Sequence, residues 1–346
     1  MISDLNPIKW DDCLYLIDQR ILPHTENWVK VTSLEQTFEA ISTMVVRGAP
    51  CIGASAIFGM ALWAKSQDTV SPENIKKAAE YLITARPTAV NLKYEVDRCV
   101  DLFSKENLVN GKMLFERLVQ FGLKSLSESY EKNKSMAEFA TIELEKKYGD
   151  KKLRIMTHCN TGYLACGVLG TALGVISHLA ELGRIENVWA SETRPYMQGS
   201  RLTAYELVKQ NIPHKVVVEG ASSYLMRENL VDAIFVGADR VAMNGDTANK
   251  IGTSTLSIVA NHYNIPFYVV APLSSFDSSI KDGKEIAIEM RDSKEILTFK
   301  DYRVAPTETE ALNPSFDITS GEMIEKVICE KGAFKASSQN LLTGLF

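Results

Sequence analysis

Apolar residues recur three and four positions apart along the first third of the chain; beyond it they gather in short runs. Leu34, Phe38, Ile41 and Val45 keep helical spacing. Ser33 stands before them with Gln36 three positions on, a capping-box pattern, so a helix is predicted from Ser33. Arg47-Gly48-Ala49-Pro50 breaks it. A second helix is predicted from near Pro50, where proline suits a first turn, and its Gly53, Ala54, Ser55, Ala56, Gly59 and Ala61 allow close packing. Ser71-Pro72-Glu73 opens a third helix ending near Arg86-Pro87, and the segments from Val90 to Phe103 and from about Met113 to Tyr148 also read as helical. Before these, Leu14-Tyr15-Leu16-Ile17-Asp18 is a strand candidate, and Pro23 closes that region.

After Gly149-Asp150 the period changes. The β-rich apolar runs 154–158, 187–191, 215–218, 233–237 and 266–271 alternate with helical patterns such as Leu202–Gln210 and Thr253–His262. Strands that are apolar throughout, alternating with helices, imply a parallel sheet covered on both faces. The expected fold class is α/β: a mainly helical N-terminal domain with a small sheet over residues 1–148, then a Rossmann-like doubly wound domain over 149–346. The long helix before Gly149 is expected to join them. There is no internal repeat, low-complexity tract or Gly/Ser linker.

Composition narrows the function classes. The 346 residues are 45% hydrophobic and 23% charged, with a net charge of −5 and no basic tail, so no nucleic-acid partner is expected. No apolar run is long enough to span a bilayer, and the N-terminus lacks a secretory pattern; no membrane association and a cytoplasmic location are expected. The six cysteines form no C-x-x-C, and the five histidines are scattered, so no metal site is expected. Neither a G-x-G-x-x-G after a strand nor a G-x-x-x-x-G-K-[ST] loop is present. A small phosphorylated metabolite fits better than a dinucleotide or nucleotide.

Open parallel sheets bind ligands beyond the carboxyl ends of their strands. The predicted strands end in His158-Cys159-Asn160, Glu192-Thr193-Arg194-Pro195, Glu219-Gly220, Gly237-Ala238-Asp239-Arg240 and Pro272-Leu273-Ser274. Cys159 is either a buried core cysteine or a functional thiol. Alternation along a strand turns His158 and Cys159 to opposite faces, so they are not expected to pair; His158 reads as a hydrogen-bonded structural histidine. Asp239 is either a helix cap or ion-pair partner, or a general acid; the apolar run before it predicts partial burial, which raises a carboxyl pKa. Glu192 and Glu219 are weaker candidates. Two helix starts, after Arg47-Gly48-Ala49-Pro50 and after Asn249-Lys250-Ile251-Gly252, combine backbone N–H groups with a cation and could each seat a phosphate.

Several segments resemble the methylthioribose-1-phosphate isomerase family. They are Val46–Pro50, Ala85–Leu92, Thr157–Gly162, Glu192–Pro195 with Gln198-Gly199, Gly237–Arg240 through Asn249–Thr253, and Asn313–Thr319. The resemblance covers nearly the whole chain, in order. It implies an aldose–ketose isomerase without cofactor, usually a homodimer, that turns a 5-substituted ribose 1-phosphate into the ribulose 1-phosphate in methionine or 5-deoxyribose salvage. It further implies Cys159 and Asp239 as the catalytic pair, and Arg47, Gly48, Ala49, Arg86, Gln198, Asn249 and Lys250 as substrate contacts. Ser191 and Cys51 stand where the family usually has Asp and Ala, and Ser254 where it usually has Tyr, leaving the 5-substituent open between methylthio and 5-deoxy. The alternatives are a ribose-1,5-bisphosphate isomerase and a non-enzymatic regulatory subunit of the initiation-factor-2B kind.

Overall fold

A computed structural model describes residues 5–86, 90–299 and 302–336. They form two compact units, one running to Asn133 and including Gly162–Gly170, the other formed by Lys134–Thr161 and the chain from Thr171 onward.

The first unit opens with an antiparallel meander, β1 (Ile8–Trp10), β2 (Leu14–Ile17) and β3 (Trp28–Val31). Helix α1 (Leu34–Ser42) starts where predicted, and the Ser33 hydroxyl accepts the Gln36 N–H. The reciprocal half of the box is displaced, because the Gln36 amide oxygen takes the N–H of Thr32 at 2.7 Å. The complete capping box lies instead at Ser71 and Asn74, before α3 (Pro72–Ile83). Between them α2 (Ala49–Lys65) is buried along almost its whole length. Helix α3 stops at Ile83, short of the predicted Arg86, where Thr84 turns its hydroxyl back onto the Tyr81 carbonyl; Pro87–Ala89 fall outside the described residues. Helices α4 (Val90–Glu106) and α5 (Gly111–Tyr148) follow. Leu14, Leu16, Ile41, Ile57 and Phe58 belong to this unit's core, with Trp10 stacked on Phe58. The short α6 (Tyr163–Cys166) is tied down here: Gln19 Nε2 donates to the Leu164 carbonyl at 2.7 Å, and Asn133 Nδ2 to those of Cys166 and Val168.

The second unit runs β4 (Leu153–Thr157), α7 (Ala172–Glu181), β5 (Ile185–Ser191), α8 (Ala204–Lys209), β6 (His214–Val217), α9 (Ser222–Arg227) and β7 (Ala233–Val236). Then come β8 (Arg240–Val241), β9 (Thr247–Lys250), α10 (Thr253–His262), β10 (Phe267–Val270), α11 (Lys294–Leu297), β11 (Thr298–Phe299), β12 (Tyr302–Arg303), β13 (Phe316–Thr319), β14 (Lys326–Cys329) and β15 (Gly332–Phe334). The main sheet has the order β15-β14-β10-β7-β4-β5-β6 and is parallel except for β15. Its six parallel strands, counted in chain order, lie 6-5-4-1-2-3, the doubly wound arrangement whose direction reverses between the first and fourth strands, here β4 and β7. Apolar strands such as Ala-Ile-Phe-Val of β7 are buried throughout, as the sequence pattern requires. The pattern did not predict β14 and β15, nor a second sheet of order β13-β9-β8. Among the described residues no helix is long and apolar enough to cross a membrane.

Candidate active site at the sheet reversal

Thr157 pairs with Phe235 where β4 lies beside β7, and its hydroxyl donates to the Phe235 carbonyl at 2.8 Å. Cys159 follows two residues after β4 ends, and Asp239 three residues after β7 ends. The two therefore sit at the carboxyl ends of the strands flanking the reversal, where doubly wound sheets open a crevice. They come from positions eighty residues apart.

Cys159 is buried and holds a left-handed main chain, with φ of 64°. That conformation is unusual for a non-glycine residue and persists only where surroundings impose it. The surroundings are two threonines. The Cys159 N–H donates to Thr193 Oγ1 at 2.8 Å, and that hydroxyl donates to the Ser191 carbonyl at 2.9 Å. On the other side the Thr203 hydroxyl donates to the Cys159 carbonyl at 2.6 Å. Asn160 Nδ2 reaches the wholly buried Glu206 at 2.8 Å. Thr203 closes a π-helical turn, Gly199–Thr203, of a kind frequent at functional sites. Gly199 is obligatory in it, since a Cβ there would lie 1.6 Å from the Ser191 carbonyl oxygen.

His158 is buried and engaged at both ring nitrogens. Its Nε2–H donates to the Ile251 carbonyl at 2.8 Å, and Nδ1 lies 3.1 Å from Ser191 Oγ, whose hydroxyl donates to it. Burial without a carboxylate partner brings its pKa down to about 4, so the ring is neutral near pH 7.

Asp239 departs from the sequence reading. It is exposed, whereas β7 and Gly237 before it are buried. The apolar run ends with the strand, and the chain then leaves the sheet for the β8–β9 hairpin, where the Asp239 N–H donates to the Ala248 carbonyl at 2.9 Å. That hydrogen bond ties Asp239 to the strand carrying Asn249 and Lys250. The other rim charges are engaged structurally. Arg194 donates to the carbonyls of Pro195, Glu295 and Ile296, and Arg240 pairs with Asp277. Glu219 accepts the Arg194 N–H, and its carboxyl is raised above the ordinary value, chiefly by burial.

The remaining candidates divide between the units. In the second, Gln198 is 6% exposed and its amide oxygen has no hydrogen-bond partner among the described residues. A buried acceptor left in that state is costly unless a ligand donor reaches it. Asn249 is buried, with Nδ2 donating to Thr253 Oγ1, and Lys250 donates from Nζ to the Ser315 carbonyl at 2.9 Å. The start of α10, read from sequence as a phosphate seat, is already filled. Asp317 of β13 accepts the N–H groups of Gly252 at 2.8 Å and Ser254 at 3.1 Å. Sequence reasoning missed this because the carboxylate comes from a strand 63–65 residues downstream. In the first unit Arg47 is buried and Arg86 half-buried. Gly48 starts α2 with φ of 87°, and a Cβ on it would lie 2.3 Å from the Ala165 carbonyl oxygen. Gly48 has no side chain to cap the start of α2, and Ala49 stands at the first helical position. Among the described residues no group of three or more His, Cys, Asp or Glu is arranged to hold a metal ion.

Comparison with known proteins connects these features to a family. Residues 45–336 match the model of the initiation factor 2 subunit family. The methylthioribose-1-phosphate isomerase of Aquifex aeolicus (strain VF5) is 44% identical over 335 residues, 96% of this chain and 69% of that protein. The protein of the same name from Thermoanaerobacter sp. (strain X514) is 43% identical, with 94% of each chain covered. Among solved structures, 5-methylthioribose 1-phosphate isomerase from Pyrococcus horikoshii OT3 superposes with a TM-score of 0.90 at 37% identity, covering 98% of this chain and 96% of that one. A structure described as translation initiation factor eIF-2B, subunit delta, from A. fulgidus gives 0.84 at 36% identity, with 95% of each chain covered. The chain belongs to the initiation factor 2 subunit family and, within it, with the methylthioribose-1-phosphate isomerases.

Proposed function

We propose that the protein is an aldose–ketose isomerase that converts 5-methylthioribose 1-phosphate to 5-methylthioribulose 1-phosphate in methionine salvage, with Cys159 and Asp239 as its catalytic pair. The observation that carries this reading is the position of those two residues on the strand ends flanking the sheet reversal, in a chain similar over almost its whole length to proteins of that name. A phosphate on the anomeric oxygen blocks spontaneous ring opening, so a proton has to be supplied to the ring oxygen. Asp239 donates it, and the bond from that oxygen to C1 breaks. The Cys159 thiolate takes the proton from C2, and the electron pair of that C–H bond forms a C1=C2 double bond. The thiol then returns its proton to C1 while the 2-hydroxyl gives its own to Asp239, leaving a ketone at C2. Both side chains end in their starting state, and hydrogen has moved within one molecule. Because Asp239 is exposed, the sugar itself has to exclude water from it. In the competing route hydride passes directly from C2 to C1 and Cys159 only orients the substrate.

Gln198, Asn249 and Lys250, with Arg47, Gly48, Ala49 and Arg86, are the proposed substrate contacts, and a homodimer is the proposed assembly. The 5-substituent extends to the methyl group of 5-deoxyribose 1-phosphate, the substitutions at Ser191 and Ser254 being the basis for that wider range. The second reading, a regulatory subunit without activity, draws on the resemblance to the A. fulgidus chain. Turnover of the two pentose 1-phosphates, measured with purified protein, decides between them; no turnover of any pentose 1-phosphate would sink the enzyme. Cys159→Ser and Asp239→Asn are each expected to lower kcat by about 10²–10⁴-fold with the fold intact. Deuterium from solvent at C1 of the product marks the proton route.

A further inference from the structure

The reaction above assigns no task to the two threonines around Cys159, yet both lie against the one residue whose geometry it most depends on. The left-handed main chain at Cys159 recurs at Thr193 (φ 63°) and Met197 (φ 59°), so three unusual conformations cluster where the chain after β5 meets the chain after β4. Resting on the proposed isomerase reading, we infer that Thr193 and Thr203 are positioning residues whose hydroxyls clamp the N–H and the carbonyl of Cys159 and so aim its thiol. Thr193 works through both lone pair and proton, accepting from Cys159 and donating to Ser191, which locks its rotamer to the end of β5. Thr203 works through its proton, and the π-helical turn is what carries it to the Cys159 carbonyl. Asn160 Nδ2 also lies 3.3 Å from Thr203 Oγ1, which fixes the direction of that hydroxyl. Neither threonine reaches substrate in this account; each acts on the thiol through the main chain.

The test replaces each hydroxyl with a methyl. Thr193→Val and Thr203→Val keep shape and lose the hydrogen bonds. Each is expected to lower kcat about 10- to 100-fold with KM within about threefold, because a displacement of the order of an ångström costs that much. Thr193→Ser and Thr203→Ser restore the hydroxyl and are expected to recover kcat to within about threefold. A role confined to stability would instead lower the unfolding temperature of all four variants and leave kcat of the folded fraction unchanged. Folded valine variants with wild-type kcat, or serine variants as slow as the valine ones, overturn the inference. If the valine variants do not fold, Thr193→Ala and Thr203→Ala take their place against the same serine controls. Cys159→Ser separates the two levels. If it retains full activity, the functional reading itself has failed. If it is inactive while the valine variants are not, only the clamp has.

Discussion

Two helix starts in this chain look alike in sequence and differ in structure. Helices α2 and α10 each follow a glycine with positive φ, Gly48 at 87° and Gly252 at 100°, and each has a cation close by, Arg47 and Lys250. Both therefore answer the physical description of a phosphate seat. At α10 the chain supplies its own anion: Asp317 takes the N–H groups of Gly252 and Ser254, while Lys250 reaches the Ser315 carbonyl and lies over the Phe316 ring. At α2 the residue before the helix, Gly48, has no side chain with which to cap it, and the neighbouring Arg47 is buried. A helix dipole and a nearby cation are thus only half of an anion site; what matters is whether the protein has already filled it. A phosphate at the α10 start would have to displace the Asp317 carboxylate.

The contrast can be broken in four ways, the largest effect first. Gly48→Ala puts a methyl group against the Ala165 main chain at a φ that alanine avoids, and is expected to cost about 4 kcal/mol or more in urea unfolding. A near-wild-type unfolding midpoint would show that the α2 start is not built as described. Next, with Arg47 as a proposed phosphate contact, Arg47→Ala is expected to reduce kcat/KM about 100-fold, the effect lying in KM; an unchanged KM removes Arg47 from the proposed contacts. Third comes acid. His158, which holds the Ile251 carbonyl before α10, is about 4 in the folded protein against an ordinary 6.5. The unfolded chain binds the extra proton first, so this stabilisation is whole above about pH 6.5 and drains away as pH falls towards 4, up to about 3 kcal/mol. Asp317, whose carboxyl burial raises, acts in the opposite sense. The difference in stability between wild type and His158→Gln across pH 4–7 isolates the histidine, and a flat difference would contradict its neutral assignment. The smallest effect is Asp317→Ala, expected to cost about 1–2 kcal/mol of stability as a lost helix cap with KM unaltered. A clear fall in KM would mean that the carboxylate had been competing with substrate for the α10 start.

Much of this architecture could be read from the chain, and the failures have physical causes. Strands β7 and β10 announce themselves because burial on both faces leaves them apolar throughout, β4 and β5 are legible through their apolar runs despite polar residues within them, and α10 matches its predicted range, Thr253–His262. The β8, β9 and β13 sheet does not. Its segments Arg-Val, Thr-Ala-Asn-Lys and Phe-Asp-Ile-Thr are short and mixed, and β9 finds β13 only across a long stretch of chain. Strand ends locate Cys159 and Asp239, but exposure beyond a strand end is not a local property; hence the error over Asp239. The threonine clamp left one sign, Thr193 within Glu192-Thr193-Arg194-Pro195, and its partner Thr203 lay in a segment that reads simply as helix.

The cap from Asp317 also sets an order of events in time. The N–H groups of Gly252 and Ser254 leave the ribosome well before the carboxylate that will satisfy them, which lies 65 and 63 residues further on. At about 5–20 residues per second the delay is roughly 3–13 seconds. For that interval the nascent α10 start is an open anion receptor, closed only when β13 is made and laid beside β9.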